Sequence, residues 1–151
     1  MTIDWVCKHH TDLDKDQLYA ILRLRQEVFV VEQKCLYQDI DDQDLMGDTH
    51  HLTGWKDQQL VAYLRLLDPT SRNGNVVIGR VIVAPAARGL GLGHQMMEET
   101  LRQIEAIWPE TPIFLSAQAH LQGYYAGYGF VAVGAEYLED GIAHIGMRRQ
   151  G

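Results

Sequence analysis

The chain has 151 residues, 46% hydrophobic and 22% charged, a composition that fits one globular domain with a sizeable core, so a single domain over 1–151 is expected. The formal net charge of −7 works against nucleic acid, whose binding runs on basic surface, and no apolar run nears the ~20 residues of a membrane helix. Cys7 and Cys35, without a C-x-x-C pair, signal neither a disulfide framework nor a zinc ribbon, and with no signal-peptide pattern the expected compartment is the cytoplasm.

Thr2 to Lys8 sets apolar Ile3, Trp5 and Cys7 against polar Asp4 and Lys8, which predicts a first strand. Asp14 stands three residues before Gln17, the spacing of a capping box, and Leu18, Ile21, Leu22, Val28 and Phe29 then mark one helical face. Arg25 and Glu32 fall on or beside that stripe. Long side chains at a stripe's edge can reach water; alternatively, the face lines a cleft and the two charges touch a substrate. Asp39 to Asp48 holds five aspartates and Gly47 but misses the D-x-[DN]-x-[DN]-G calcium spacing. The expectation is a solvated acidic loop near an amine-binding mouth. The pairs His9-His10 and His50-His51 are adjacent residues, which on a strand point to opposite faces, so a metal site is not expected.

His50 to Lys56 and Leu60 to Leu67 read as antiparallel strands joined by Asp57-Gln58-Gln59. Asn75 to Val83 is a β-branched strand closed by Pro85. Next comes Arg88-Gly89-Leu90-Gly91-Leu92-Gly93, and behind it a helix with Met96, Met97, Leu101 and Ile104 at core spacing, stopped by Pro109. Glycines ahead of a helix N-terminus allow positive φ and close approach to a ligand, and the unpaired N–H groups attract phosphate. The glycines fall as G-x-G-x-G, which is not the Rossmann spacing, and His94-Gln95 follow where a Walker loop needs Lys-Ser/Thr. Ile113 to Ala117 is the next strand, reached by a right-handed parallel crossover. His120 to Tyr128 forms a short helix, and Phe130 to Glu139 with Ile142 to Met147 a hairpin on the Asp140-Gly141 turn.

Arg88, Gly91 and Gly93 make an R-x-x-G-x-G pattern, Tyr125 to Phe130 a Y-x-x-x-G-F pattern, and Leu24 to Gln33 carries R-x-x-V-F-V-x-E-Q. With the ending Asp140-Gly141-Ile142-Ala143-His144-Ile145, this resembles the ElaA-like branch of the GNAT superfamily of N-acetyltransferases over nearly the whole chain. The resemblance implies an α/β (α+β) fold. Its mixed sheet has six or seven strands, with helices on both faces and a splay between the fourth and fifth strands.

Acetyl-CoA is the implied co-substrate, and no metal is implied. Its pantetheine would meet the backbone of Val81, Ile82 and Val83, and its pyrophosphate Arg88 and the N–H groups of Gly89, Leu90, Gly91, Leu92, Gly93 and His94. Gln118 stands where many members carry asparagine, seven residues before Tyr125. Tyr125 aligns with the family's acid, and Tyr124 is its nearest rival. The base stays open among Glu32, His120 and His144. Arg25, Glu32, His120 and His144 are the candidates to touch the acceptor, a small amine or a peptide amine. A homodimer is among the assemblies common in the superfamily. Two alternatives are a non-catalytic acyl-CoA-binding module and an acyltransferase for longer acyl thioesters.

Overall fold

A computed structural model describes residues 2–151. Seven strands follow the apolar patterns: β1 (Asp4–His9), β2 (His50–Lys56), β3 (Gln59–Leu67), β4 (Val76–Val83), β5 (Ile113–Gln118), β6 (Val131–Glu139) and β7 (Ile142–Arg149). They form a mixed sheet in the order β1-β2-β3-β4-β5-β7-β6, antiparallel except for β4 against β5. At the hairpin tip Asp140 and Gly141 have φ of 51° and 76°, the pair of positive values a type I′ turn requires. Asp57 and Gln58 do the same at 50° and 66°, so the β2–β3 turn has two residues and Gln59 already belongs to the strand.

Helix α1 (Lys15–Arg25) starts at a full capping box: the Asp14 carboxylate accepts from the Gln17 N–H at 2.7 Å, and the Asp14 N–H donates to Gln17 Oε1 at 3.1 Å. It runs on as a π-helical segment, Gln26–Glu32, whose bonding reaches five residues back, as in Gln33 N–H to Val28 O at 2.9 Å. Helices α2 (Leu92–Ile107) and α3 (Gln122–Ala126) follow the glycine loop and β5. One sheet face takes α1, with Ile21, Leu24 and Val28 against Tyr63 and Ile82. The other takes α2 and α3, with Met96, Met97, Ile104 and Tyr125 among Leu64, Leu66, Val76, Ile78 and Leu115. Each such large side chain contributes about 1.5–3 kcal/mol by leaving water.

An irregularity in β4 shapes everything near the site. On β3, Arg65 pairs with Gly79 and Tyr63 with Ile82, so Arg80 and Val81 together oppose Leu64. Arg80 carries φ of 54° at this bulge. The extra residue inverts the alternation of faces. Val76 and Ile78 point toward α2, whereas Ile82, which an unbroken strand would place beside them, packs against α1. Pairing with β5 stops just before the bulge: Val76, Val77 and Ile78 are the paired residues, and the rest of β4 splays away.

Candidate active site

The loop after β4 is built for left-handed backbone. Gly89 and Gly91 have φ of 82° and 75°, and Gly91 is the N-cap of α2. A Cβ on either would meet nothing within 4 Å, so the demand for glycine is conformational and the space over the loop is open. Buried Leu92 anchors the loop beside Ile3 and Ala87, while Leu90 is exposed. Aromatic side chains of α3 and the turn after it close on it from the flank: His94 Nδ1 and the Tyr128 hydroxyl share a hydrogen bond at 2.6 Å, and the Tyr124 ring of α3 lies 5.0 Å from His94. Arg88 donates from Nε to the Val83 carbonyl at 3.0 Å and from both Nη atoms to the Glu32 carboxylate at 2.8 Å each.

Beside the loop, the splay opens into a cavity of about 540 Å³ walled by Gly79, Arg80 and Val81 of β4, Ser116 to Gln118 of β5, Tyr125, His144 and Glu139. Tyr125 is 8% exposed, and burial pushes its phenol up, so the hydroxyl stays protonated. Its ring is held edge-on by Tyr124 at 5.0 Å and by Phe130 at 6.0 Å. Tyr124 faces the glycine loop and His94. Gln118 and His144 are register partners across β5 and β7, which puts both on the same wall. His144 donates from Nδ1 to the Ile142 carbonyl at 2.8 Å, leaving Nε2 3.4 Å from the Glu139 carboxylate. Its ring stacks on Tyr137, whose hydroxyl bonds the Ser116 hydroxyl.

The structure gathers Val81, Gln118, Tyr125 and His144 at one cavity, whereas Ile82, Val83 and the loop Arg88 to His94 are not among its lining residues. It takes three other candidates elsewhere. His120 is exposed on the short turn Ala119–Leu121, outside the cavity lining. Glu32 is rotated outward by the wide π turns, and hydrogen bonding from Arg88 holds its carboxyl below the usual range, which suits an ion-pair partner better than a base.

Arg25 is fully buried and is not among the residues lining the cavity. Its Nε donates to Asp39 at 2.9 Å and its Nη1 to Asp44 at 2.6 Å. The acidic loop is correspondingly only partly solvated: Asp42 and Asp48 are exposed, but Asp39, Asp41 and Asp44 are shared among Arg25, Arg65 and Arg80 on the α1 face of the sheet. Next to them, buried His51 accepts from the Tyr63 hydroxyl at 2.6 Å and donates to the Asp44 carbonyl at 2.9 Å. His9 and His10 do not diverge, because His10 leaves the strand into a tight turn and the two rings stack at 4.5 Å. Among the described residues no group of three or more His, Cys, Asp or Glu is arranged to hold a metal ion. Nor is any helix long and apolar enough to cross a membrane.

Residues 10–150 match the family of acetyltransferase (GNAT) domains. The chain is 53% identical to the protein ElaA of Escherichia coli over 148 residues, covering 98% of this chain and 97% of that one. The crystal structure of an acyl-CoA N-acyltransferase from Pseudomonas aeruginosa superposes with a TM-score of 0.96 at 65% identity, covering 98% of this chain and 99% of the other. That of Escherichia coli ElaA superposes with a TM-score of 0.93 at 52% identity and the same coverage. A mixed sheet parted between β4 and β5, a glycine loop capping α2 and these likenesses agree: the chain belongs to the GNAT acetyltransferase family, in the branch of ElaA, and is an acyltransferase that draws on acyl-CoA.

Proposed function

We propose that the protein moves the acetyl group of acetyl-CoA onto a small amine or a peptide amine by direct attack, with both substrates held in one cleft. The observation that carries this reading is the free edge of β4. Beyond Ile78 its backbone has no strand partner on the β5 side, and its stretch Gly79 to Val81 lines the cavity that holds Tyr125 and His144. Backbone groups so placed are costly to leave unpaired. The pantetheine amides and the thioester carbonyl complete them, and an N–H aimed at the carbonyl oxygen stabilises the developing oxyanion. Arg88 and the amides up to His94 take the pyrophosphate, and Gln118 contributes its amide to the pantetheine arm.

The acceptor's ammonium gives a proton to His144 Nε2, where Glu139 stands 3.4 Å away to meet the imidazolium charge. The free amine then attacks the thioester carbon and the C–S bond breaks. The leaving thiolate takes the Tyr125 hydroxyl proton, and the phenolate recovers one from the new amide nitrogen. Thiol release from acetyl-CoA, and from longer acyl-CoAs in parallel, against a panel of primary amines tests the whole scheme. Amine-dependent release that is fastest with the acetyl thioester is expected. Release from none of the amines, despite cofactor binding, would turn the reading toward a non-catalytic binding module.

Glu32 enters the scheme as a competitor rather than a catalyst, since it occupies the guanidinium that the pyrophosphate needs. Glu32→Gln is therefore expected to tighten CoA binding, roughly two- to fivefold for an exposed ion pair, in a calorimetric titration. Weaker binding would mean that the pair orients Arg88 for the phosphate instead of screening it.

A further inference from the structure

Positive φ on a side-chain-bearing residue within a strand persists only where the surroundings over-determine it. At Arg80, the bulge residue of β4, those surroundings are a set of hydrogen bonds from its guanidinium. Nε donates to Asp39 Oδ1 at 2.8 Å, and Nη2 to the Asp39 carbonyl at 3.1 Å and to Asp41 Oδ2 at 3.3 Å. The Tyr37 ring lies 5.1 Å from the guanidinium carbon. Asp39 and Asp41 cannot simply follow a relaxing strand. Arg25 holds Asp39 by its carboxylate at 2.9 Å and its carbonyl at 2.7 Å, and Arg65 holds Asp41 through two bonds at 2.9 and 2.7 Å. Glycine would take this backbone conformation without strain. Arginine couples it to the loop instead, and the coupled residues, Gly79 to Val81, are the ones that form the cavity wall where β4 leaves β5.

We infer that Asp39 and Asp41 are positioning residues for acyl transfer: through Arg80 they fix the bulge that aims the free backbone N–H groups of β4 at the thioester carbonyl. The inference rests on the acyl-CoA reading of the cleft. Neither Asp39 nor Asp41 lines the cavity, so the effect expected of them falls on the thioester oxygen and not on CoA binding.

The test is calorimetric and needs no acceptor. CoA, acetyl-CoA and S-ethyl-CoA, a thioether without the carbonyl oxygen, are titrated into the native chain, Asp39→Asn, Asp41→Asn and Arg80→Lys. An asparagine at 39 can accept from only one of the two arginines that its carboxylate now serves. Arg80→Lys leaves the Arg25–Asp39 and Arg65–Asp41 pairs in place and so keeps the fold even if the asparagine variants do not. The native chain is expected to prefer acetyl-CoA over the thioether by roughly two- to tenfold, the range of one hydrogen bond. In the folded variants that preference collapses toward unity while the affinity for CoA stays within about twofold. Variants that fold, bind CoA and keep the native preference overturn the inference and leave the acyl-CoA reading standing. A native chain that binds none of the three ligands overturns that reading, and the inference with it.

Discussion

Asp44→Ala is expected to lower the folding free energy by about 3–5 kcal/mol, the usual cost of stripping one partner from a buried ion pair. Asp44 is 6% exposed and accepts from Arg25 Nη1 at 2.6 Å and from Arg65 Nη1 at 3.0 Å. Without it, Arg25 keeps only Asp39 as an anionic partner, in a site with no access to water. Urea denaturation at neutral pH measures the loss. A change below about 1 kcal/mol would mean that the arginines find other partners and that the cluster is worth no more than a surface network.

The same cluster shapes the acid limb of stability. Burial alone would raise the Asp41 and Asp44 carboxyls, but hydrogen bonds from Arg65 and Arg25 outweigh it and hold both below the usual carboxylate range. Their folded forms release protons more readily than the unfolded chain does. The resulting stability is therefore full above the unfolded value near ~4 and drains away as the pH falls through the folded ones. Burial also lowers His50 and His51, so those losses begin earlier. The unfolded chain takes up their protons from about pH 6.5 downward while the folded chain resists, and His51 alone makes a slope of up to about 1.4 kcal/mol per pH unit. Melting followed between pH 7 and pH 3 should show two descending stages, and His51→Gln should shrink the upper one.

Tyr125→Phe carries the largest expected effect on rate. Loss of a general acid commonly lowers turnover by about 10²–10⁴-fold. The phenylalanine ring would keep the edge-on contacts to Tyr124 and Phe130, so folding and cofactor affinity should be nearly native. Turnover, KM for acetyl-CoA and melting temperature, measured together, separate the roles. A fall in turnover with KM and melting intact supports the acid. Unchanged turnover hands the proton to another donor, and Tyr124→Phe, on the glycine-loop side, is the control.

Local signals made much of this molecule readable in advance. Asp140-Gly141 announced its turn because two successive positive φ values are a demand few residue pairs meet. The strand, glycine loop and amphipathic helix from Val76 to Ile107 were legible because each is a short-range pattern. The charge cluster was not. Arg25 and Asp44 are 19 residues apart, and Arg80 and Asp39 are 41 apart; no periodicity joins them, and Arg25 looked like a cleft residue because it shares a stripe with Glu32. The π-helical turns broke that stripe, since bonding five residues back rotates Glu32 off the face that an α-helix would have given it. The bulge at Arg80 was equally silent, as an arginine with β-branched residues beyond it carries no local mark of positive φ.

The short β4–β5 ladder has a consequence for the life of the protein. Among the described residues, only Val76, Val77 and Ile78 of β4 are in register with β5 along that seam, and in the proposed function acyl-CoA pairs the backbone beyond them. A ligand that binds the folded chain alone adds about 2.7 kcal/mol at a hundred times its dissociation constant. On the proposed reading, the rate at which a protease cuts the chain is expected to fall as the acyl-CoA concentration rises.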